Sequence, residues 1–476
     1  MKKIIILSML VVLTSCGGGS NSGTTSTPVF SSSMANMCAN PRPNTIDQQG
    51  TADNEKAYLS AFVNQTYLWY QQLPTNLVAA NYATPQDYFA ALKTTALDVK
   101  GIPVDQFHWS QTTASWDAQS SGNPLDFGIQ WAALNSAPPR NWIVADVAPG
   151  SPAAAAGIQR GAKLTSIDGI DFVNDNVQAD INALNAALLP GPVATHSFGF
   201  NGQTGITMTS TAYPEVTVKH IKIIPTTNGN VGYFIFDTQI AQSEAELTNA
   251  INQLKAAGIS DLIIDLRYNG GGLLYIASEL AYMIAGPVNT TNHVFEKLIY
   301  NDKLTSQNTS YPFYSSGTAN QTLPTLGLNH VSLLVTYGTA SASESIINSL
   351  RGVNLTVDLI GSTTRGKPYG FVPQGNCGWT YFSIQFKGVN DKGFGDYADG
   401  FTPTCQVPDD FTHQRGDTAE TMLSSALSYR TSGVCPAIAS VPLFVNASSS
   451  NAIYQLVRPA TKEMRIVTPL PHSMSM

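Results

Sequence analysis

Apolar positions along the chain change period several times, and each change marks an element. Residues 331–337 (VSLLVTY) are an apolar run without Pro or Gly that stops at Gly338, the pattern of a buried strand. Over 343–350, Ile346, Ile347 and Leu350 fall on one side of a helix. Ser341 therefore stands where a strand turns into a helix, with backbone N–H groups and the positive helix end aimed at whatever its hydroxyl meets. The same alternation precedes it. A strand is predicted over 231–240, a helix over 243–258 with Leu247, Ile251 and Leu254 in register, and a strand over 261–267. The turn Asn269-Gly270-Gly271-Gly272 and a helix over 273–285 follow. This β-α-β-α order calls for a sheet with parallel pairs and helices against it.

The flanks read differently. An amphipathic helix is predicted over 53–73, with Tyr58, Phe62, Tyr67, Leu68 and Trp69 on its buried face, and a second over 85–93 with Tyr88, Phe89 and Leu92. An aromatic stripe at helical spacing reads as core rather than ligand surface. Residues 125–213 alternate short strands with Gly/Pro turns, and 418–429 read as a closing helix. The tail 436–476 carries two apolar patches, VPLFV and MRIV, which fit strands packed back on the core; no role attaches to it.

Composition narrows the classes. At 476 residues the chain holds two or three domains and buries a sizeable core. Net charge is −7 and basic clusters are missing, which argues against nucleic acid as a partner. The start, MKKIIILSMLVVLTSC, reads as a signal peptide over 1–15, its apolar run too short to span a bilayer. Behind Cys16 a Gly/Ser/Thr-rich stretch opens a flexible tether, assigned to 16–45.

Chemistry centres on Ser341. With Glu344 three residues on, it fits a capping box. With Lys367, 26 positions on, it also fits a nucleophile and base. A lysine acts as a base only when neutral, which requires its ordinary pKa near 10.4 to fall by roughly three units, about 4 kcal/mol against the charged form. The neighbours Gly366, Pro368, Tyr369, Gly370 and Phe371 carry no charge, and Arg365 disfavours a second cation. Seven histidines keep a Ser-His-Asp arrangement open, although no GxSxG elbow is present. Neither HExxH nor CxxC occurs, so no metal and no cofactor are expected. Besides Cys16, four cysteines allow three pairings or buried free thiols; the favoured pairs are Cys377 with Cys405, and Cys38 with Cys435, which would tie the chain's two ends.

Three of these stretches occur in a familiar order. DLIIDLRYNGGG (261–272), TASASE around Ser341, and TTRGK ending in Lys367 resemble the glycine-turn, serine and lysine elements of the carboxyl-terminal processing (tail-specific) serine protease family, in a secreted lipoprotein form with a PDZ domain. The resemblance implies an α/β (mixed α+β) protease core of the ClpP/crotonase-like type over 215–435, a small helical N-terminal domain over 46–115 and an inserted PDZ domain over 123–213. YLWY, TPQDYFAAL and DQFHWS are similar to the family's helical domain, and His108 in the last run is read as structural. DFGIQW, PGSPAAAAGI and SIDGID resemble a circularly permuted PDZ domain, with Phe127, Gly128 and Ile129 as the loop that takes a peptide carboxylate. YADGFTPTC resembles the family's strand with a Gly-x-x-Pro turn.

In site terms the resemblance implies Ser341 as nucleophile, Lys367 as base, and the N–H groups of Gly271 and Ala342 as oxyanion hole. Family members commonly carry a glutamine four residues after the lysine; here that position is Phe371, and Gln374 is the nearest candidate for an orienting residue. LTSC resembles a lipobox, implying lipidation of Cys16 and an extracytoplasmic, membrane-held location in the cell envelope. The implied activity is a serine endopeptidase that takes proteins or peptides by an exposed C-terminus and forms an acyl-enzyme. A catalytically weak or inactive peptide-binding scaffold lipoprotein is the alternative from another class. Oligomeric state is not legible in the sequence.

Overall fold

The computed structural model describes residues 32–188 and 193–437 and two strands, 455–457 and 464–466. The expected signal peptide, Cys16 and the first half of the expected tether lie outside the described residues. Among those described, no helix is long and apolar enough to cross a membrane.

The expected tether ends before residue 45. Met37–Cys38 pairs with Gln48–Gln49, and the Asn36 N–H donates to Asn376 Oδ1 at 2.8 Å, so this stretch is part of the folded body. Helix α1 (Ala52–Thr66) opens on a capping box between Thr51 and Asn54 and buries Tyr58, Leu59, Phe62 and Val63. It stops short of the expected residue 73 because the backbone is drawn away at Tyr67 and the Leu68 N–H donates to Ile384 O at 2.8 Å. Helix α2 (Pro85–Ala91) starts on a Thr84 cap with Pro at its first position. The two helices share one core with Phe371, Tyr381, Phe382 and Ile384 from far along the chain.

The second unit contains strands β1 (Ile129–Asn135) and β2 (Asn141–Val147), paired antiparallel, and helix α3 (Gln178–Leu188). Its core gathers Phe127, Trp131, Val144, Ile167, Leu184 and Phe198.

The third unit is built on a six-stranded sheet. Strands β3 (Val218–Thr226) and β4 (Gly229–Phe236) form an antiparallel pair; helix α4 (Ser243–Ala256), strand β5 (Asp261–Asp265), the short strand β6 (Gly271–Leu273) and helix α5 (Leu274–Thr290) follow. Then come β7 (His330–Val335), α6 (Ala342–Gly352), β8 (Thr356–Gly361), β9 (Tyr369–Gly370), β10 (Cys405–Gln406) and α7 (Thr421–Ser432). Sheet order is β3-β4-β5-β7-β8-β10, parallel from β4 onward. Alternation along each strand sends Leu262, Ile264, Leu333 and Leu359 to the face covered by α4, α5 and α6, and Ile263, Leu334 and Ile360 to the face covered by α7. Of the two apolar patches expected to form strands, MRIV supplies β12 (Met464–Ile466), which pairs parallel with β6, and VPLFV lies outside the described residues; β11 (Gln455–Val457), from neither patch, pairs antiparallel with β1.

Both favoured cysteine pairings are overturned. The disulfides are Cys38 to Cys377 and Cys405 to Cys435. Cys377 lies in a hairpin held against the N-terminal segment, whereas Cys405 lies on the far edge strand of the sheet, where the chain leaving α7 brings Cys435 back to it.

Charged groups lace the second unit to the third. Lys219 bonds Asp146 at 2.7 Å and Asp237 at 2.6 Å, and Arg415 bonds the same two carboxylates at 2.9 Å each. Arg160 reaches from the second unit to Asp409 at 2.6 Å and to the Tyr268 hydroxyl at 2.7 Å.

Candidate active site

The three central parallel strands β5, β7 and β8 release their chains into adjacent loops at one end of the sheet, because parallel strands share direction. Ser341 lies past the end of β7 as the residue before α6, with φ +62° and ψ −116°. A side chain rarely adopts such a backbone, at a cost of about 1–3 kcal/mol, and the surroundings must hold it. They do so from the neighbouring loop. Ala340 N–H donates to Asn269 O at 3.0 Å, and the Thr339 hydroxyl donates to Leu266 O at 2.8 Å.

Lys367 is brought to the same place by one buried carboxylate. Glu344 Oε2 accepts the Ser341 N–H at 2.9 Å and the Lys367 N–H at 2.8 Å, while Oε1 accepts the Thr364 hydroxyl at 2.6 Å and the Gly366 N–H at 2.7 Å. Burial pushes the Glu344 carboxyl above its ordinary pKa, against the pull of these four donors. Gly366 makes the approach possible: its φ is +80°, and a Cβ there would sit 2.2 Å from Ala398 O. The Lys367 side chain is fully buried, with Nζ 4.8 Å from the Phe107 ring centre and 4.7 Å from that of Phe371. Phe107 comes from the helical N-terminal unit, which thus supplies one wall of the lysine pocket.

Gln374 is not brought to Lys367. Its amide donates to Gly375 O at 3.3 Å and its side chain engages the Tyr58 hydroxyl, while the Phe371 ring stands beside Lys367 Nζ. The two residues separate because Gln374 begins a hairpin strand that turns toward the helical unit.

The glycine turn also departs from expectation. Gly271 N–H donates to Asn269 Oδ1 at 2.9 Å, so it is already committed. On one edge of β6, Gln239 receives the Leu273 N–H at 2.7 Å and donates its own N–H to Gly271 O at 3.2 Å. Alternation along the strand then turns the Gly272 N–H to the opposite edge, where β12 lies. A Cβ at Gly272 would sit 2.1 Å from Gln239 O, so only glycine fits. Ala342, the first residue of α6, is buried directly behind Ser341.

In the second unit the loop expected to take a peptide carboxylate is also occupied. Gly128 N–H donates to Asp126 Oδ1 at 2.6 Å, and the same oxygen accepts the Tyr213 hydroxyl at 2.7 Å. The Gly128 N–H in the Phe127-Gly128-Ile129 loop is thus already engaged by a side chain of the same loop. His108 is core: it stacks on Phe89 with ring centres 4.0 Å apart and bonds Phe89 O, and burial lowers its pKa to about 4.

Sequence reasoning passed over Glu344 as clamp, Gln239, Asn269 and Phe107. Glu344 was visible as half of a capping box, Phe107 lies in the DQFHWS run, and Asn269 opens the predicted glycine turn and bonds Gly271 two residues on; Gln239 acts through backbone partners distant in sequence and left no local signal.

Residues 230–372 match the model for peptidase family S41, 143–187 that for a PDZ domain, and 54–110 that for the peptidase S41 N-terminal domain. A carboxyl-terminal-processing protease of Picosynechococcus sp. is 29% identical over 233 residues, 46% of this chain and 49% of that protein. One of Synechocystis sp. is 29% identical over 229 residues, 46% and 47% respectively. The chain spans about half the length of these relatives. A solved structure of a putative S41 protease from Bacteroides fragilis shares the fold, with a TM-score of 0.63 at 23% identity over 79% of this chain and 97% of that one.

Proposed function

We propose that this chain, which belongs to peptidase family S41 and carries a PDZ domain, is a serine endopeptidase acting through Ser341 and Lys367. The observation that carries the reading is the shared Glu344 oxygen, which sets the backbones of both residues side by side at the start of α6. In this reading neutral Lys367 Nζ takes the proton as Ser341 Oγ adds to the carbonyl carbon of a peptide bond. The oxyanion that forms is met by the N–H groups of Gly272 and Ala342, backed by the positive end of α6. Nζ then gives the proton to the departing amine, leaving an acyl-serine that water hydrolyses.

The substrate class in this proposal is extracytoplasmic polypeptide taken by an exposed tail, with the PDZ domain offering a strand edge at β1. Attachment to the cell envelope through lipidated Cys16 belongs to the same reading.

An unfolded reporter with an apolar C-terminal tail tests it, comparing the native chain with Ser341→Ala and Lys367→Ala. Only the native chain should cut. Cutting by Lys367→Ala would assign the base elsewhere, and failure of a serine-directed probe to label the native chain would favour the scaffold reading.

A further inference from the structure

The edges that the endopeptidase reading gives to substrate already hold part of this chain. β12 runs parallel along β6, with Gly271 opposite Met464, Gly272 opposite Arg465 and Leu273 opposite Ile466. It also lies against α6, headed by Ser341, and against β9, which begins two residues after Lys367. Three separate stretches of the proposed catalytic site therefore face one short strand.

The same segment reaches the PDZ domain. β11 pairs antiparallel with β1, with Gln455 opposite Ala133, Leu456 opposite Ala132 and Val457 opposite Trp131. β1 follows directly on the Phe127-Gly128-Ile129 loop. Six residues separate Val457 from Met464 in the sequence, so both strands come from one short part of the chain. An internal segment brings no terminal carboxylate, which suits a loop whose Gly128 N–H is held by Asp126.

We propose that strands β11 and β12 are tethered occupants of the chain's own substrate path, each held by strand addition at its edge, and that external polypeptides enter by displacing them. The word substrate rests on the endopeptidase reading; the docking does not. Main-chain pairing supplies affinity with few side-chain demands, and tethering sets an effective concentration in the millimolar range. A competitor at micromolar concentration then meets a site that is mostly filled.

The test uses the full chain with Ser341→Ala, so that no self-cleavage intervenes. Two proline pairs, Gln455→Pro with Leu456→Pro and Arg465→Pro with Ile466→Pro, remove the bonding N–H whichever way each strand faces. Hydrogen exchange followed by mass spectrometry should rise at least tenfold over β1 with the first pair and over β6 with the second, while β5 and β7 keep their protection. Unchanged exchange at β1 and β6 overturns the docking. With Ser341 restored, the four prolines together should speed acylation by a fluorophosphonate at least tenfold. Equal acylation with and without them overturns the blocking role, whereas no acylation in either chain sinks the endopeptidase reading and leaves the exchange result to judge the docking.

Discussion

Ser341 and Lys367 donate their backbone N–H groups to one and the same atom, Oε2 of Glu344, at 2.9 and 2.8 Å. Their spacing is thus fixed through a fully buried carboxylate rather than through the chain between them.

Glu344→Gln should therefore disturb the pair without emptying any space. An amide has one acceptor oxygen where four donors now converge, so at least one donor faces an NH2 group, a penalty of about 1–3 kcal/mol. Acylation of Ser341 by a fluorophosphonate should slow ten- to a hundredfold, with a displaced pH–rate profile. Thr364→Val removes a single donor and should do less. A folded Glu344→Gln chain with the native rate and profile would refute the positioning role.

Phe107→Leu probes the wall contributed by the helical domain. Water admitted beside Nζ solvates an ammonium better than a neutral amine, which outweighs a lost cation–π contact of about 0.5–2 kcal/mol. The pH–rate profile of acylation should move to higher pH while the chain stays folded. An unmoved profile would mean that the ring serves packing alone.

His330 gives a pH dependence of stability. Its imidazole lies between Asp261 at 2.9 Å and Asp358 at 2.8 Å, and these bonds raise its pKa to about 9. A pKa raised on folding stabilises fully below the unfolded value near 6.5, and the contribution disappears as pH rises from there through about 9. After allowance for partial exposure it amounts to about 1–2 kcal/mol. Urea unfolding of native and His330→Gln chains should differ by that amount at pH 6 and converge by pH 10. A constant gap across this range would contradict the assignment.

The two disulfides close loops of different size, 339 and 30 residues. In the chain-entropy picture, opening the shorter by Cys405→Ser with Cys435→Ser costs about 3–4 kcal/mol, and opening the longer by Cys38→Ser with Cys377→Ser costs more, about 6 kcal/mol. Thermal melts of the two double variants should fall in that order. Non-reducing peptide maps of the native chain should join Cys38 to Cys377; a Cys377 to Cys405 peptide would refute the connectivity.

Elements with a single strong period were legible in the sequence. The strand before Ser341 and the helix after it shifted by only a residue or two, to His330–Val335 and Ala342–Gly352, because burial on both strand faces and the Ile346, Ile347, Leu350 stripe leave little freedom. What failed depended on contacts between distant segments. The first helix ended early because Ile384 captured the Leu68 N–H, and the cysteines paired by the position of sheet edges. The site divided along the same line. Glycine at 272 is required by the Gln239 carbonyl, and the same pairing with Gln239, a residue more than thirty positions away, turns the Gly272 N–H toward β12, which no local spacing encodes.

Arg160 has a mechanical consequence. Swinging the PDZ domain away as a rigid lid would strip this guanidinium from Asp409 and from the Tyr268 hydroxyl, leaving ions in a place water does not reach, and breaking such a pair costs about 3–5 kcal/mol. Tyr268 stands three residues before Gly271 on the same loop. The joint behaves as a weld rather than a hinge, and any force that pries it open pulls first on the strand that would receive the scissile carbonyl.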